Sequence, residues 1–341
     1  MSRIKPAIQA LAQGQEPDES ALKDAFDALM DGEAEPEEIG GFLLALAAVG
    51  ESPKTLRIGA EAMRARMTPV SAPAGAIDTC GTGGDARGTW NISTAAALVA
   101  AGAGAIVAKH GNKAASSKSG SAEVLEALGV NLFANERQIE RCLDQAHVAF
   151  LFAPAHHGAV RHVGPARKTL GVRTVFNLLG PLSNPAGAKR QLLGVFDPKW
   201  LVPMAEALRD LGAESAMIVH GQDGLDEITT TTETSVAELH PNGDITRYEV
   251  SPEDAGLART SLDALKGGAP EENADAIRSL LNGESGPYRD IVLINSAAAL
   301  KLSGQCTNLK DGVALAAESL DSHAARHALD QLVTASNEPV S

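Results

Sequence analysis

From residue 76 onward the chain alternates short apolar runs with amphipathic stretches, and this alternation limits the fold more than any other feature. Runs at Ile77 and its neighbours, 105–108, 148–152, 191–196 and 216–219 have the length and composition of buried strands. Helical patterns lie between them at 94–103, 121–128, 136–146 and 200–211. Such alternation predicts an α/β fold, a mainly parallel central sheet wrapped by helices. Residues 235–240 and 244–250, joined by Pro241-Asn242-Gly243, read as an antiparallel hairpin. The C-terminal part is expected to form a strand at 291–294 and then Ala-rich helices, with a frayed polar tail after Val333.

The first 70 or so residues have a different texture. Leu22, Ala25, Phe26, Leu29 and Met30 recur with helical spacing between Asp18, an N-cap, and Gly32, a stop. A second such pattern (Ile39, Phe42, Leu43, Leu46, Ala47) runs from Pro36 to Gly50, and a third covers 54–67. These helices carry no evident chemistry and read as a packing or dimerisation module. The Pro/Ala/Gly-rich stretch 68–75 marks a boundary, giving a helical domain over 1–72 and an α/β domain over 73–341.

The formal charge of −14 disfavours general binding to nucleic acid or to anionic membranes. Aromatic residues at 3% offer no stacking platform for single strands. Any phosphate site must therefore be a local cluster of Lys, Arg and backbone N–H groups. Cys80, Cys142 and Cys306 are odd in number and far apart, which suits a reducing compartment better than a disulfide framework or a zinc site. Met1–Pro6 lacks the apolar core of a secretion signal, and no apolar run reaches transmembrane length, so a cytoplasmic location is expected.

Four stretches carry candidate chemistry. In residues 78–94, Gly81, Gly83, Gly84 and Gly88 stand among acids and hydroxyls, ahead of a helix expected to start near Asn91, Ser93 and Thr94. Glycines let N–H groups approach a ligand, and a helix start attracts anions, so the stretch reads as a phosphate cradle, with a mobile surface loop as the alternative. The spacing Gly81-x-Gly83-x-x-Ala86 also fits a dinucleotide fingerprint, but 87–90 separate the loop from the helix, and Lys109-His110 stands where a ribose-binding acid belongs. The second stretch, 109–121, places three lysines and four serines after a strand. The third, Asp223-Gly224-Leu225-Asp226-Glu227, suits Mg²⁺, which takes few carboxylates and completes its shell with substrate phosphates and water. The fourth holds His156, His157, Arg161, His162, Arg167, Lys168 and Arg173, and Arg is the usual grip for a carboxylate.

Together these stretches resemble the anthranilate phosphoribosyltransferase family over nearly the whole chain. The resemblance rests on Gly81-Thr82-Gly83-Gly84-Asp85, Asn91-Ile92-Ser93-Thr94, Lys109-His110-Gly111-Asn112, Ser116 to Ser121, Arg173 to Pro181, and Asp223 to Glu227. It implies transfer of the 5-phosphoribosyl group from phosphoribosyl pyrophosphate (PRPP) to the amine of anthranilate. It also implies a returning segment near 165–185 in the helical domain, a homodimer through the helical parts, and two Mg²⁺ per subunit. PRPP is expected on Gly81, Gly84, Asp85, Thr89, Asn91, Ile92, Ser93 and Thr94, and on Lys109, His110, Gly111, Asn112, Lys113, Ala114, Ala115, Ser116, Ser117 and Ser121. Anthranilate is expected at Gly81, Asn112 and Arg167, with His110, His157, Pro154 and Gly180 shaping its pocket; Ser93, Asp226 and Glu227 are expected on the metal. No residue is assigned as a general acid or base. Lys113 stands where the family commonly has Arg, keeping the charge but losing the two-pronged grip. Pyrimidine nucleoside phosphorylases share the layout but need a nucleobase pocket and no acid pair. A non-catalytic nucleic-acid-binding relative would be basic and would lack those acids.

Overall fold

The structure, a computed structural model, describes residues 2–114 and 118–339. Four helices open the chain: α1 (Lys5–Ala12), α2 (Glu19–Asp31), α3 (Pro36–Val49) and α4 (Pro53–Arg64). On α2 the periodic residues Leu22, Ala25, Phe26, Leu29 and Met30 are all buried. The Asp18 side chain accepts the Ala21 N–H at 2.8 Å, and Gly32 ends the helix at φ 73°, a cap and a left-handed stop.

The α/β part begins with β1 (Ile77–Gly81), α5 (Ile92–Gly102), β2 (Val107–Gly111), α6 (Ser121–Ala127), α7 (Glu136–Gln145) and β3 (Val148–Phe152). The short helices α8 (Ala153–His156), α9 (Gly164–Leu170) and α10 (Phe176–Leu179) then return towards the N-terminal helices, where α9 packs on α3 and α10 on α4. Next come β4 (Arg190–Gly194), α11 (Leu201–Asp210), β5 (Ser215–Gly221), β6 (Thr234–Leu239) and β7 (Ile245–Val250). Four helices close the chain: α12 (Pro270–Leu281), α13 (Pro287–Ser303), α14 (Leu309–Asp321) and α15 (Ala324–Asn337).

The strands form one sheet of order β3-β2-β1-β4-β5-β6-β7. The first five are parallel, and β6 and β7 join as the antiparallel hairpin. The chain winds outward from β1 through β2 to β3, then restarts on the other side with β4. A parallel sheet binds ligands beyond its carboxyl edge at such a reversal. The apolar core of the N-terminal helices is continuous with Leu193, Val195 and Ile218 on one sheet face, so the two parts share a core. Both crossings between them run side by side: the Thr68 N–H donates to the His156 carbonyl (2.8 Å) and the Val70 N–H to that of Pro185 (3.0 Å).

Two expectations are corrected. Residues 291–294 are not a strand but the buried middle of α13. A four-residue apolar run looks the same in a buried helix as in a buried strand, and here Pro287 starts a helix of 17 residues. The tail does not fray after Val333: α15 continues to Asn337, because its polar residues have partners. The Asn131 N–H donates to Ser336 Oγ (3.1 Å) and Gln138 Nε2 to the Ser336 carbonyl (3.0 Å).

On the other face α5 is buried almost all round by α13, α14 and α15, and its alanines allow that close approach. At Gly102 a Cβ would overlap the Ala325 backbone nitrogen and Ser319 Oγ. Helix propensity alone favours Ala over Gly by roughly 0.5–1 kcal/mol. Overpacking costs about 1–3 kcal/mol and should prevail. Gly102→Ala is therefore expected to lower stability in urea denaturation, and a stabilised variant would contradict this account of the helix packing.

Candidate active site

The carboxyl edge of the sheet opens where β1 and β2 part. They pair at Ile77↔Val107, and beyond that point side chains take over from the ladder. The buried Asp78 carboxylate accepts the His110 N–H (3.0 Å) on one side and Gln191 Nε2 (3.2 Å) on the other. Asn184 Nδ2 donates to the Ala108 carbonyl (2.8 Å). The buried Lys109 ammonium donates to the Thr79 carbonyl and to Ser93 Oγ (3.3 Å). Backbone groups left by a parted ladder need partners, and polar side chains supply them here.

Above this gap lies a cleft of ≈ 320 Å³, within the range of small-molecule sites. Its walls bring together residues from all four stretches singled out by the sequence, with Arg167 alone from the fourth. Gly81, Gly84, Asp85, Thr89, Asn91, Ile92, Ser93 and Thr94 form one side. Lys109, His110, Gly111, Asn112, Lys113, Ala114 and Ser121 form a second. Asp226 and Glu227 lie on the floor, and Arg167 and Gly180 stand at the far end. His157 is buried behind the wall, its ring 5.1 Å from that of His110. Pro154 is exposed on α8 and does not line the cleft, although its neighbour Ala153 does. Ala115, Ser116 and Ser117 lie outside the described residues.

The glycine loop holds a fixed shape. Gly83, Gly84 and Gly88 all have positive φ (64°, 82° and 65°), and so does Ala86 (57°). The Gly83 N–H donates to Asp226 Oδ2 at 3.0 Å, and the Ser93 N–H at the start of α5 donates to Glu227 Oε1 at 3.1 Å. The acid pair thus ties the loop after β5 to the loop after β1. At Gly194, the end of β4, a Cβ would fall on the Asp226 carbonyl, so only glycine lets the acid loop cross there. Arg173, from the returning segment, donates to the Gly84 carbonyl and lies over the Phe196 ring at 4.0 Å. Sequence reasoning missed Gly194 and this role of Arg173, because each depends on a neighbour more than twenty residues away.

The electrostatics of the floor are unbalanced. Burial raises the Asp226 carboxyl above its ordinary range, and the charge of Asp85 adds to the rise. Burial raises Glu227 likewise, with Asp226 adding. Lys109, lowered by burial, faces both acids. Among the described residues no three His, Cys, Asp or Glu side chains converge as a metal cage. Two carboxylates short of counter-charge beside a phosphate-sized cleft nevertheless fit Mg²⁺, which relies on one or two carboxylates plus ligand oxygens.

The far end of the cleft has the opposite character. Arg167 is half-buried, lies 5.3 Å from the Phe176 ring centroid, and has no ion pair among the described residues. Burial lowers its pKa, as expected of a guanidinium with no anion beside it. Burial also holds His110 well below the usual imidazole range and His157 down to about 4, so both rings are neutral near pH 7. This end can take an aromatic acid: a neutral wall for the ring and a guanidinium for the carboxylate.

Among the described residues no helix is long and apolar enough to cross a membrane. Residues 5–67 match the helical bundle domain of a glycosyl transferase family, and 74–326 match its a/b domain. The anthranilate phosphoribosyltransferase of Maricaulis maris (strain MCS10) is 59% identical over 337 residues, 99% of each chain. The crystal structure of that enzyme from Thermus thermophilus superposes with a TM-score of 0.92 at 46% identity, covering 99% of this chain and 100% of the other. The Saccharomyces cerevisiae enzyme in complex with PRPP and Mg superposes with a TM-score of 0.90 at 28% identity, covering 97% of each. Fold, cleft and these likenesses agree: the chain belongs to the anthranilate phosphoribosyltransferase family.

Proposed function

We propose that this chain transfers the 5-phosphoribosyl group of PRPP to the amine of anthranilate, releasing pyrophosphate, as a step of tryptophan biosynthesis. One observation carries the reading: a single cleft joins an acid pair and a buried lysine at one end to a guanidinium with no ion pair among the described residues at the other. The yeast relative described with PRPP and Mg supports the choice of donor and metal.

In this reading the glycine loop, with Thr89, Asn91 and Thr94, cradles the pyrophosphate, and Lys109, Asn112, Lys113 and Ser121 face it from the second loop. Ser117 and its neighbours would join them. Asp226 and Glu227, with Ser93, would hold up to two Mg²⁺. When bound, the metal supplies positive charge to the leaving group, worth several kcal/mol of transition-state stabilisation. The C1–O bond of the ribose breaks as positive charge builds on the sugar ring. Lys109 and the N–H groups of the glycine loop oppose the charge that grows on pyrophosphate. The amine of anthranilate already carries its lone pair, so no strong base is needed before attack. Arg167 grips the carboxylate, and the neutral His110 ring, with Gly180, flanks the aromatic ring. Orientation of this kind can remove as much as about 7–11 kcal/mol of barrier.

The helical part is proposed to form a homodimer. Gly41, Leu44 and Ala48 make an exposed stripe on α3, and Leu44 is 52% exposed. A cytoplasmic location is proposed from the free cysteines and the class of reaction.

Anthranilate fluorescence should fall only with PRPP, Mg²⁺ and protein all present, and chelation by EDTA should stop the change. Asp226→Asn is expected to lower kcat/KM by about 10²–10³-fold, the loss typical of a charge-stabilising group. A change within twofold would remove Asp226 from the metal site. Arg167→Ala should raise the anthranilate KM about tenfold or more while leaving the PRPP KM nearly unchanged, as loss of a charge-assisted hydrogen bond would. Leu44→Glu should shift the mass in light scattering towards the monomer.

A further inference from the structure

The glycine loop and the basic loop leave different strands, yet must face one phosphate group at a fixed separation. A chain of hydrogen bonds joins them, and it starts on a buried residue outside the cleft. Asn273, in the first turns of α12, is 1% exposed. Its Oδ1 accepts the Gly268 N–H at 2.7 Å, and its Nδ2 donates to Asn91 Oδ1 at 2.7 Å. Asn91 Oδ1 also accepts the Ser119 hydroxyl at 3.2 Å, and Asn91 Nδ2 faces the Ser119 carbonyl at 3.4 Å.

Chemistry fixes every amide orientation in this chain. A backbone N–H can only donate, so the Asn273 atom facing Gly268 must be its oxygen. The Nδ2 of Asn273 therefore points to Asn91, and the Asn91 atom it meets must in turn be oxygen. That leaves the Asn91 nitrogen facing Ser119, where a carbonyl receives it. The same segment also braces the loop through its backbone: the Trp90 N–H donates to the Leu265 carbonyl (3.0 Å) and the Gly267 N–H to that of Gly88 (2.9 Å). At Gly267 a Cβ would lie 2.6 Å from the Thr89 carbonyl oxygen, so this bracing requires bare backbone.

We propose that Asn273 is a positioning residue that sets the spacing of the two phosphate-facing loops through Asn91 and Ser119. It touches no substrate. It acts by holding the Asn91 amide in one orientation, which spans the gap between the loops. The proposal rests on the reading of the cleft as a PRPP site.

Asn273→Asp is the discriminating variant. The carboxylate keeps its acceptor for Gly268 but sets an oxygen against Asn91 Oδ1, so the relay breaks while the helix start is kept. Calorimetric titration with PRPP and Mg²⁺ should show affinity reduced about tenfold or more, the range for a lost buried hydrogen bond. In turnover assays the PRPP KM should rise by a similar factor and the anthranilate KM should stay within about twofold. Asn91→Ala combined with Asn273→Asp should be no weaker than the poorer single variant, since coupled residues are not additive. Unchanged PRPP affinity in a folded Asn273→Asp protein, equal rises in both KM values, or additive losses would each overturn the relay. If Asn273→Asp does not fold, Ser119→Ala removes the hydroxyl that donates to Asn91 Oδ1 and must show the same split. Wild-type turnover separates the two ideas: a wild type that binds PRPP but leaves anthranilate unchanged removes the transferase reading, whereas an active wild type with an unsplit variant removes only the relay.

Discussion

The parting of β1 from β2 is the constraint on which the site depends. A parallel ladder that continued to the carboxyl edge would close the surface above it. Here Asp78, Asn184 and Lys109 replace the ladder with side-chain hydrogen bonds, and the opened gap becomes the floor of the cleft. An ionisable residue on a sheet interior is costly unless its bonds are satisfied. Asp78 meets that condition by bonding to neighbours on both sides, His110 of β2 and Gln191 of β4. Lys109 meets it in part: its ammonium has two oxygen partners and faces the acids of the floor.

The division of charge along the cleft follows from that opening. At the β1/β4 end, Asp85, Asp226 and Glu227 crowd together against the buried Lys109, so a bound cation would stabilise the folded loops as well as the ligand. At the other end, Arg167 has no ion pair among the described residues. In the proposed function the two ends sort two substrates of different chemistry, a polyphosphate and an aromatic carboxylate. The neutral imidazoles of His110 and His157 add no charge to the side of the cleft they pack behind and along.

Much of this was legible in the sequence, for physical reasons. Strand–helix alternation has few packed solutions, and the strand runs at 148–152 and in the hairpin were placed to within about two residues, the precision usual for such boundaries. Gly81 to Thr94, Lys109 to Ser121 and Asp226-Glu227 are local patterns whose residue types declare anion and cation chemistry, and the fold brings described residues of all three into one cleft. What was not legible depends on contacts distant in sequence. Residues 291–294 look alike as strand or helix until α5 and α14 are packed around them. Pro154 is motif-adjacent yet exposed, and on α8 it is Ala153 that lines the cleft. Gly194 and Asn273 matter through Asp226 and Asn91, and nothing local to either residue marks it.

The central claim is that the opened β1/β2 edge, with the acid pair on its floor, is a metal–pyrophosphate site. Crystals of the protein with PRPP and Mn²⁺ in place of Mg²⁺ test this most directly, because manganese scatters anomalously. The account predicts an anomalous peak beside the Asp226 and Glu227 carboxylates, with pyrophosphate density over the glycine loop. A peak elsewhere, or pyrophosphate bound away from Gly81 to Asp85 and Lys109, would contradict it.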